Sequence, residues 1–385
     1  MHSAEHGWQK IDAMPEDVSQ FFFTIYEHDT DNGLVLAQGN LQDKNYMTMW
    51  YESEVYPEVN KNAVWIIDAF EADNASGAKG DASKWLTITG MGNSDVCLQS
   101  YDNTTANYRT DNNGEGWTDR AYVTAAYIPD GYWTLQNNKG GDYLGRWDAT
   151  NEIAGNTTGD AIGKFDIYAI LRGQYAAVAE NLDKATEDAP TDISYLITNA
   201  DGTRYNNFHA KQPVGWTLSQ DDAFEVEYAN YLPTKVGSSY FNKWQGSGNL
   251  TDRTISQQLT GLPDGRYRIS VRTSSSVIHK GAWLFANDER IDMTKVASDG
   301  VVSVVTDITD GNLTFGVELK SYQSNDCKFD HFTLEYLSSE STNSIGNVEH
   351  GKKTEGRYYD LTGRRDKRPA KGIYIVSGQG VVVEK

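Results

Sequence analysis

Short apolar runs recur in three groups along residues 16–171, and their order is the clearest pattern at the start of the chain. Each group opens on a strand-like run, continues with a second short run and closes on an aromatic or apolar run. The opening runs are FFFTIY (21–26), WLTI (85–88) and YWTL (132–135). The second runs are LVL (34–36), VCL (96–98) and YLG (143–145), and the closing runs are VWII (64–67), AYV (121–123) and FDIY (165–168). Three copies of strand, turn, strand, long polar loop and strand predict a β-trefoil domain over residues 1–171.

A single helical stripe follows the third group. In GQYAAVAENLDKATEDA (173–189), Tyr175, Val178, Leu182 and Ala185 fall on one helical face. Pro190 then ends the pattern. Residues 172–190 are therefore predicted to form a short helical spacer between two β domains.

Alternating strand patterns return over residues 191–337. Polar and apolar positions alternate in TISQQL (254–259) and YRISV (267–271), and the turn GLPDG (261–265) joins them. Proline fixes φ in such a turn and glycine supplies positive φ. About eight strands of this length predict a two-sheet jelly roll. The fold class is therefore all-β: a trefoil, a helical spacer, a jelly roll and a small β module at the end.

Several motifs of residues 191–337 occur in a characteristic order. They are DISYLITN (192–199), GWT (215–217), FNKW (241–244), SQ-x-L-x-GLP-x-G-x-Y (256–267) and D-x-F-x-L-x-Y (330–336). This region resembles the galactose-binding-like β-sandwiches that are often appended to glycan-degrading enzymes of gut Bacteroidetes. The trefoil pattern resembles the ricin-type sugar-binding trefoils, although the usual Gln-x-Trp closing each repeat is missing. Both resemblances imply carbohydrate binding.

The final segment, residues 338–385, differs in composition from the two preceding β regions. SSESTNSI (338–345) is a Ser/Thr-rich linker, and YDLTGR (359–364) with KGIYIV (371–376) resembles the Bacteroidetes C-terminal secretion domain. Three short strands joined by Gly and Pro turns are expected here. The resemblance implies a secreted or cell-surface protein.

Composition narrows the range of partners. The chain has 385 residues, 35 glycines but only 8 prolines, and a formal net charge of −20 at pH 7. That charge argues against nucleic acid and against an anionic membrane surface, because both would be repelled. It also disfavours acidic glycans unless calcium screens the site. No apolar run approaches the length of a membrane span.

Trp244 is the leading candidate for sugar binding. It lies among Asn242, Lys243 and Gln245 in what the sequence indicates is an aromatic loop beginning at Tyr240, and Tyr240 and Asn242 are expected to contact the sugar with it. Sugars stack an apolar face on an aromatic ring while neighbouring polar groups take the hydroxyls. The alternative is that Trp244 folds back to cap the sandwich core. The polar side of the site is expected from Arg272, Tyr322 and Asn325, with simple surface solvation as the alternative.

Two further sites are expected. Related sandwiches hold a structural Ca²⁺, for which Asn199, Asp201 and Asp330 are the matching residues, although Asn199-Ala200-Asp201-Gly202 suits a turn equally well. In the trefoil, Trp147 and Asp148 follow a turn and suit a shallow sugar pocket. Packing of Trp147 against the spacer is the alternative.

Catalytic motifs are missing from the sequence. There is no His-Glu-x-x-His, nucleophile elbow or phosphate-binding glycine loop. The expectation is a non-catalytic carbohydrate-binding protein that targets a neutral polysaccharide or oligosaccharide, with an enzyme domain in cis or surface enzymes in trans. The alternatives are a glycoside hydrolase or related enzyme with a cleft site, and a surface adhesin that binds protein.

Overall fold

The computed structural model describes most of the chain, with gaps. The described residues are 7–29, 33–41, 44–51, 60–70, 85–91, 96–101, 105–110, 122–137, 143–146, 153–157, 162–203, 205–206, 211–339, 358–359, 365–366, 372–376 and 380–384. The chain divides into two compact units, Met1–Ser339 and Glu340–Lys385. The fold is all-β, with strands in several sheets.

The first part of the larger unit contains strands β1 to β13. Their bounds are β1 Gln9–Lys10, β2 Phe21–Glu27, β3 Leu34–Leu41, β4 Lys44–Tyr51, β5 Trp65–Phe70, β6 Trp85–Gly90, β7 Val96–Tyr101, β8 Thr105–Thr110, β9 Tyr122–Ile128, β10 Tyr132–Asn137, β11 Tyr143–Arg146, β12 Ile153–Thr157 and β13 Phe165–Leu171. Short 3-10 helices, Val18–Gln20 and Lys61–Ala63, precede β2 and β5.

Strand pairing closes a six-stranded barrel. β2 pairs with β5, β5 with β6, β6 with β9, β9 with β10, β10 with β13, and β13 again with β2. The hairpins β3–β4, β7–β8 and β11–β12 project from it, one in each third of the sequence. This is the connectivity of a β-trefoil, and side chains such as Phe23, Trp65 and Trp133 fill the barrel.

The sequence prediction missed one strand in each of the three repeats. The interval between the second and closing runs was expected to be a long polar loop, but β4, β8 and β12 lie there. Two of these strands, TANYRT and IAGNT, have almost no apolar alternation. They form because they pair with the preceding strand of a hairpin, which does not require a buried face along their whole length.

Helix α1 is shorter than the sequence pattern suggested. It spans Arg172–Ala179, Glu180 is extended, and a separate 3-10 helix follows at Leu182–Lys184. Tyr175 and Leu182 of the predicted stripe are buried, whereas Val178 is exposed. In the described part of the chain no helix is long and apolar enough to cross a membrane.

Arg172 joins the trefoil to the second β region. Its guanidinium is fully buried and donates hydrogen bonds to the backbone oxygens of Phe21 and Leu196 and to the hydroxyl of Thr198. It also lies over the Phe22 ring. A buried charge of this kind is tolerated only when its donors are used, so this contact fixes the geometry of the junction.

The second part of the larger unit contains β14 to β26 and two more 3-10 helices, Ser194–Leu196 and Met293–Lys295. The strands are β14 Thr191–Asp192, β15 Tyr205–Asn206, β16 Gln212–Pro213, β17 Thr217–Leu218, β18 Glu225–Glu227, β19 Tyr240–Trp244, β20 Arg253–Leu259, β21 Gly265–Arg272, β22 Ala282–Ala286, β23 Glu289–Asp292, β24 Val301–Ile308, β25 Leu313–Leu319 and β26 Asp326–Ser338.

Two sheets pack face to face in this region. The front sheet has the order β18-β19-β26-β21-β24, with β14 also paired to β26, and the back sheet has the order β17-β20-β25-β22-β23. Trp216, Phe241, Phe315 and Phe332 meet between the sheets, with ring centroids 4.7 to 6.0 Å apart. Both predicted strands are present as β20 and β21, but they do not pair as a hairpin: the turn Gly261–Gly265 carries the chain from the back sheet to the front sheet. The arrangement is the expected jelly-roll sandwich.

The smaller unit contains a four-stranded sheet. Its strands are β27 Tyr358–Tyr359, β28 Arg365–Asp366, β29 Gly372–Val376 and β30 Gly380–Glu384, in the order β28-β27-β29-β30. Three strands were expected in this segment, so the β character was predicted but one strand was missed.

Candidate functional site

Strand β19 places Trp244 on the outer face of the front sheet. Phe241 points into the core between the sheets and is fully buried. Because side chains alternate along a strand, Tyr240, Asn242 and Trp244 share the opposite face. Trp244 is not in a loop as expected: it is the last residue of β19, paired with Asp326 of β26. Its side chain is 59% exposed, so it does not cap the core.

The turn after Trp244 is held by hydrogen bonds. The side-chain Nε2 of Gln245 donates to the backbone oxygens of Ser247, Gly248 and Asn249 at 2.9 to 3.1 Å. The Gln245 backbone N–H donates to the Asn325 carbonyl at 3.0 Å, and Asn325 Nδ2 donates to the Gln245 carbonyl at 2.8 Å. Asn325 thus holds the turn that follows Trp244, and its contact with a sugar stays a prediction.

Polar groups lie beside the indole on the same face. Asn242 is paired in register with Lys328 and with Glu225. Its Nδ2 donates to Glu225 Oε1 at 3.0 Å, while its Oδ1 is buried without a hydrogen-bond partner. Lys328 forms an ion pair with Asp326. An indole with neighbouring amide, carboxylate and ammonium groups can bind a ligand with one apolar face and several hydroxyls.

The two tyrosines expected at the site are buried instead of exposed. Tyr240 is fully buried and packs against Leu232 and Val277. Tyr322 is 1% exposed, and its hydroxyl donates to the Asp326 carbonyl at 2.9 Å and accepts from the His279 backbone N–H at 3.2 Å. Burial raises the pKa of both phenols. The sequence prediction was wrong for these rings because chain segments from elsewhere fold over them.

Arg272 is distant from Trp244. It is paired with Asp330 of β26, whereas Trp244 is paired with Asp326. Four residues along a strand correspond to about 13 Å. The Arg272 guanidinium donates to the Asp299 carbonyl at 3.4 Å. The structure therefore does not bring Arg272 into the Trp244 site. Trp147 and Asp148, the candidates in the trefoil, lie outside the described residues.

The three residues expected to hold calcium lie near one another but are engaged in other contacts. Asn199 Nδ2 donates to the Val214 carbonyl, and the Gly202 N–H donates to the Asn199 carbonyl, which closes the alternative turn. Asp201 Oδ1 contacts His331 Nδ1 at 2.6 Å. Within the described residues no group of three or more His, Cys, Asp or Glu side chains could hold a metal ion.

Asp330 is the most unusual of the three. It is fully buried, its Oδ2 accepts the Val236 backbone N–H at 2.6 Å, and its Oδ1 has no hydrogen-bond partner. Burial raises its pKa to about 7. Ca²⁺ takes six to eight oxygen ligands, and the side chains as placed do not form such a cage. Calcium binding here stays a prediction.

An open groove of about 540 Å³ lies between the end of α1 and the turn joining β20 to β21. Its acidic lining residues are Glu180, Asp183 and Asp264. Glu180 forms an ion pair with Lys61 at 3.6 Å. Under the alternative that the chain is an enzyme, this groove is the candidate location of the active site.

The sequence prediction missed Tyr231. This residue follows β18 and is 70% exposed, the most exposed large hydrophobic side chain in the described residues. A signal was present, since YLPTKVGSS (231–239) is a proline- and glycine-containing segment in which no strand period explains an aromatic ring.

The geometry defines a β-trefoil joined to a jelly-roll sandwich that displays one indole on its front sheet. No protein-family model matches the sequence, and no curated protein matches it. Among solved structures, the chain is similar to a Polyporus squamosus lectin bound to a sialylated influenza-binding epitope, at 11% identity and TM-score 0.28 over 38% of this chain and 48% of the lectin.

Two further solved structures are similar to parts of the chain. The designed three-fold symmetric protein ThreeFoil matches at 15% identity and TM-score 0.27, over 38% of this chain and 96% of ThreeFoil. TmCBM61, solved with β-1,4-galactotriose, matches at 18% identity and TM-score 0.25, over 31% of this chain and 86% of TmCBM61.

Proposed function

We propose that this chain is a non-catalytic carbohydrate-binding protein that holds a neutral glycan on the front sheet at Trp244. The supporting observation is an indole that is 59% exposed at the end of an ordered strand. Leaving so large an apolar ring in water forgoes stabilisation that burial would give, at about 25 cal/mol per Å². A stacked sugar ring would recover part of it.

The surroundings of Trp244 favour a neutral ligand. The Glu225 carboxylate lies beside Asn242, the Asp326 carboxylate is ion-paired with Lys328, and the whole chain has a net charge of −20. The net negative charge repels uronates and sulfates. Carboxylate and amide groups accept hydrogen bonds from hydroxyls, which a neutral glycan supplies in number.

The biological setting is part of the proposal. The likeness of the tail to a secretion domain supports a secreted or cell-surface protein, and the sandwich motifs support targeting of a polysaccharide-degrading enzyme in cis or in trans.

One stacked ring with partly solvated hydrogen bonds gives a Kd of order 10 μM to 1 mM, or about −4 to −7 kcal/mol. Such a module concentrates a protein on a polymer rather than capturing single sugars.

Affinity electrophoresis tests the role of Trp244. Soluble galactan, xylan, galactomannan and mixed-linkage β-glucan are cast into native gels, and at least one should retard the full chain. Trp244→Ala should abolish that retardation while leaving Tm nearly unchanged, because the side chain is more exposed than buried. Trp244→Phe keeps a ring and should retain part of the retardation. A large fall in Tm for Trp244→Ala would contradict the proposal.

The first rival function is an enzyme acting in the groove beside α1. Its carboxylates could in principle form an acid–base pair, as glycoside hydrolysis requires. Release of reducing ends from the same polysaccharides by the purified chain, abolished by Asp264→Asn, would favour this rival. The second rival, a protein-binding adhesin, would be favoured if no glycan retards the chain.

A calcium ion bound around Asn199, Asp201 and Asp330 is a separate proposal. The unpartnered, buried Oδ1 of Asp330 supports it, because an oxygen of this kind suits a cation. Added CaCl₂ should then raise Tm by mass action, and EDTA should reverse the rise. Asp330→Asn should remove the calcium dependence. An identical Tm in EDTA and CaCl₂ would contradict a calcium site.

A further inference from the structure

Exposed apolar side chains are concentrated near Trp244. Five large hydrophobic residues are exposed in the described part of the chain, and three of them, Tyr231, Val236 and Trp244, lie within one stretch of 14 residues. The other two lie elsewhere, Tyr127 in the trefoil and Val178 in α1. Single exposed hydrophobics need no explanation, but a concentration beside a candidate site does.

The segment that carries Tyr231 is fixed on the outer face of the front sheet. Leu232 is fully buried against Tyr240 and Val277. Further along, the Val236 backbone N–H donates to Asp330 Oδ2 at 2.6 Å. The burial of Leu232 therefore fixes the backbone beside Tyr231, whose ring extends into solvent. The Trp244 ring likewise extends into solvent, from the end of β19.

The two rings lie towards opposite ends of the same strand. Tyr231 is next to Leu232, which packs on Tyr240 at the start of β19, and Trp244 ends that strand. Tyr240 and Trp244 are four residues apart on one face, about 13 Å along the strand. Tyr231 lies beside the Tyr240 end of this interval, so a ligand that contacts both aromatic side chains has to be longer than one sugar ring.

A polar pair lies on the strand between the two rings. Asn242 is midway between Tyr240 and Trp244 on the same face, and it donates a hydrogen bond through Nδ2 to Glu225 Oε1. Asn242 is only 5% exposed, and its Oδ1 is buried without a partner. A buried acceptor without a donor costs free energy, and a ligand hydroxyl supplies a donor to this oxygen only when neighbouring side chains move aside.

We propose that the ligand is a linear neutral oligosaccharide lying along β19, with Trp244 and Tyr231 as its two aromatic contacts and the Asn242–Glu225 pair between them. The inference rests on the proposed function, because it extends the Trp244 site to a second ring. It makes Tyr231 a determinant of the length of ligand that the site prefers.

A chain-length series tests the proposal. Oligosaccharides of increasing length are prepared from the polysaccharide that retards the full chain, and their Kd values are measured by calorimetry. The wild type should gain affinity once the ligand is long enough to reach both rings. Tyr231→Ala should weaken binding of the longer ligands about tenfold, which corresponds to about 1.4 kcal/mol. The affinity for the shortest bound ligand should stay unchanged. Tyr231→Phe should behave as the wild type.

The possible outcomes separate the two proposals. If no polysaccharide binds, both the proposed function and this inference are overturned. If binding depends on Trp244 but Tyr231→Ala leaves the length dependence intact, the function stands and the second contact is wrong. An unchanged Tm of Tyr231→Ala serves as the control for folding, which is expected because the ring is 70% exposed.

Discussion

Asp330 shows how one residue can combine burial with charge. The groups around it include Asp201, His331, Arg272 and the Val236 backbone N–H. Burial raises its pKa to about 7 from 3.8. A hydrogen bond to Asp201 raises the pKa of His331 above 6.5. Both groups therefore bind protons more readily in the folded chain than in the unfolded chain.

This arrangement predicts a pH-dependent stability. A carboxyl whose folded-state pKa is raised contributes stability that is complete below about pH 3.8 and is lost as pH rises through about 7. The His331 contribution has the same sign: it is complete below 6.5 and is lost as pH rises through the raised value. For Asp330, each pH unit between these two values is worth at most about 1.4 kcal/mol.

Asp330→Asn isolates the carboxyl contribution. Free energies of unfolding are measured in urea at about pH 5 and about pH 8, within the range where the group titrates. The wild type should lose more stability than Asp330→Asn on going to the higher pH. His331→Gln is the matched variant and should remove a smaller part of the dependence. Equal pH dependence in wild type and Asp330→Asn would contradict the raised pKa.

At the scale of elements, the turn between β20 and β21 has a second contact that the sequence did not reveal. Its first residue, Gly261, has φ of +70° and lies against the start of α1. A Cβ added to Gly173 would lie 2.3 Å from the Gly261 backbone carbon and the Leu262 nitrogen. The Gly173 N–H also donates to the Thr260 carbonyl. The turn therefore packs against the spacer as well as connecting the back sheet to the front sheet.

Gly173→Ala should destabilise the chain through this contact. The added methyl group meets backbone atoms that cannot rotate away, so a loss of about 1–3 kcal/mol is expected, with a lower Tm. Val178→Ala is the control, since it lies in the same helix but is exposed and should change Tm little. Equal Tm values for Gly173→Ala and wild type would show that α1 is not packed this closely.

The elements also show what the sequence could predict. Barrel strands such as β2 and β13 are apolar because they line a core, so their runs were visible in the sequence. Hairpin strands such as β8 are polar and form through pairing, which composition does not report. In the candidate site, the polar neighbours of Trp244 left both exposure and capping of the core open, and the structure shows the side chain exposed. Burial of Tyr240 depends on contacts with Leu232 and with Val277, and the contact with Val277 joins distant parts of the sequence, which a local pattern does not report.

At the scale of the molecule, the trefoil and the sandwich share one hydrophobic cluster. Residues such as Phe22 and Ile66 from the trefoil belong to the same buried cluster as Tyr175 of α1 and Ile269 of the sandwich. The two predicted domains therefore lie in one compact unit, joined by apolar contact and by the hydrogen bonds of Arg172.

This shared core predicts cooperative unfolding of residues 1–339. Calorimetry of the full chain should show the trefoil and sandwich melting in one main transition, because neither keeps its contacts when the other unfolds. Arg172→Ala removes several buried donors and should lower stability on the order of 3 kcal/mol or separate the transition into two. Two well-resolved transitions already in the wild type would contradict the coupling.

The central position of β26 in the front sheet also affects the order of events during synthesis. β26 is the last strand of the sandwich to leave the ribosome, yet it pairs with β14, β19 and β21. The trefoil barrel closes with β13, at Leu171. The trefoil can therefore complete its strand pairing before β26 is synthesised, while one edge of β19 is still unpaired. A ribosome that stalls before residue 326 would leave this strand edge exposed, and it could then pair wrongly with other nascent chains.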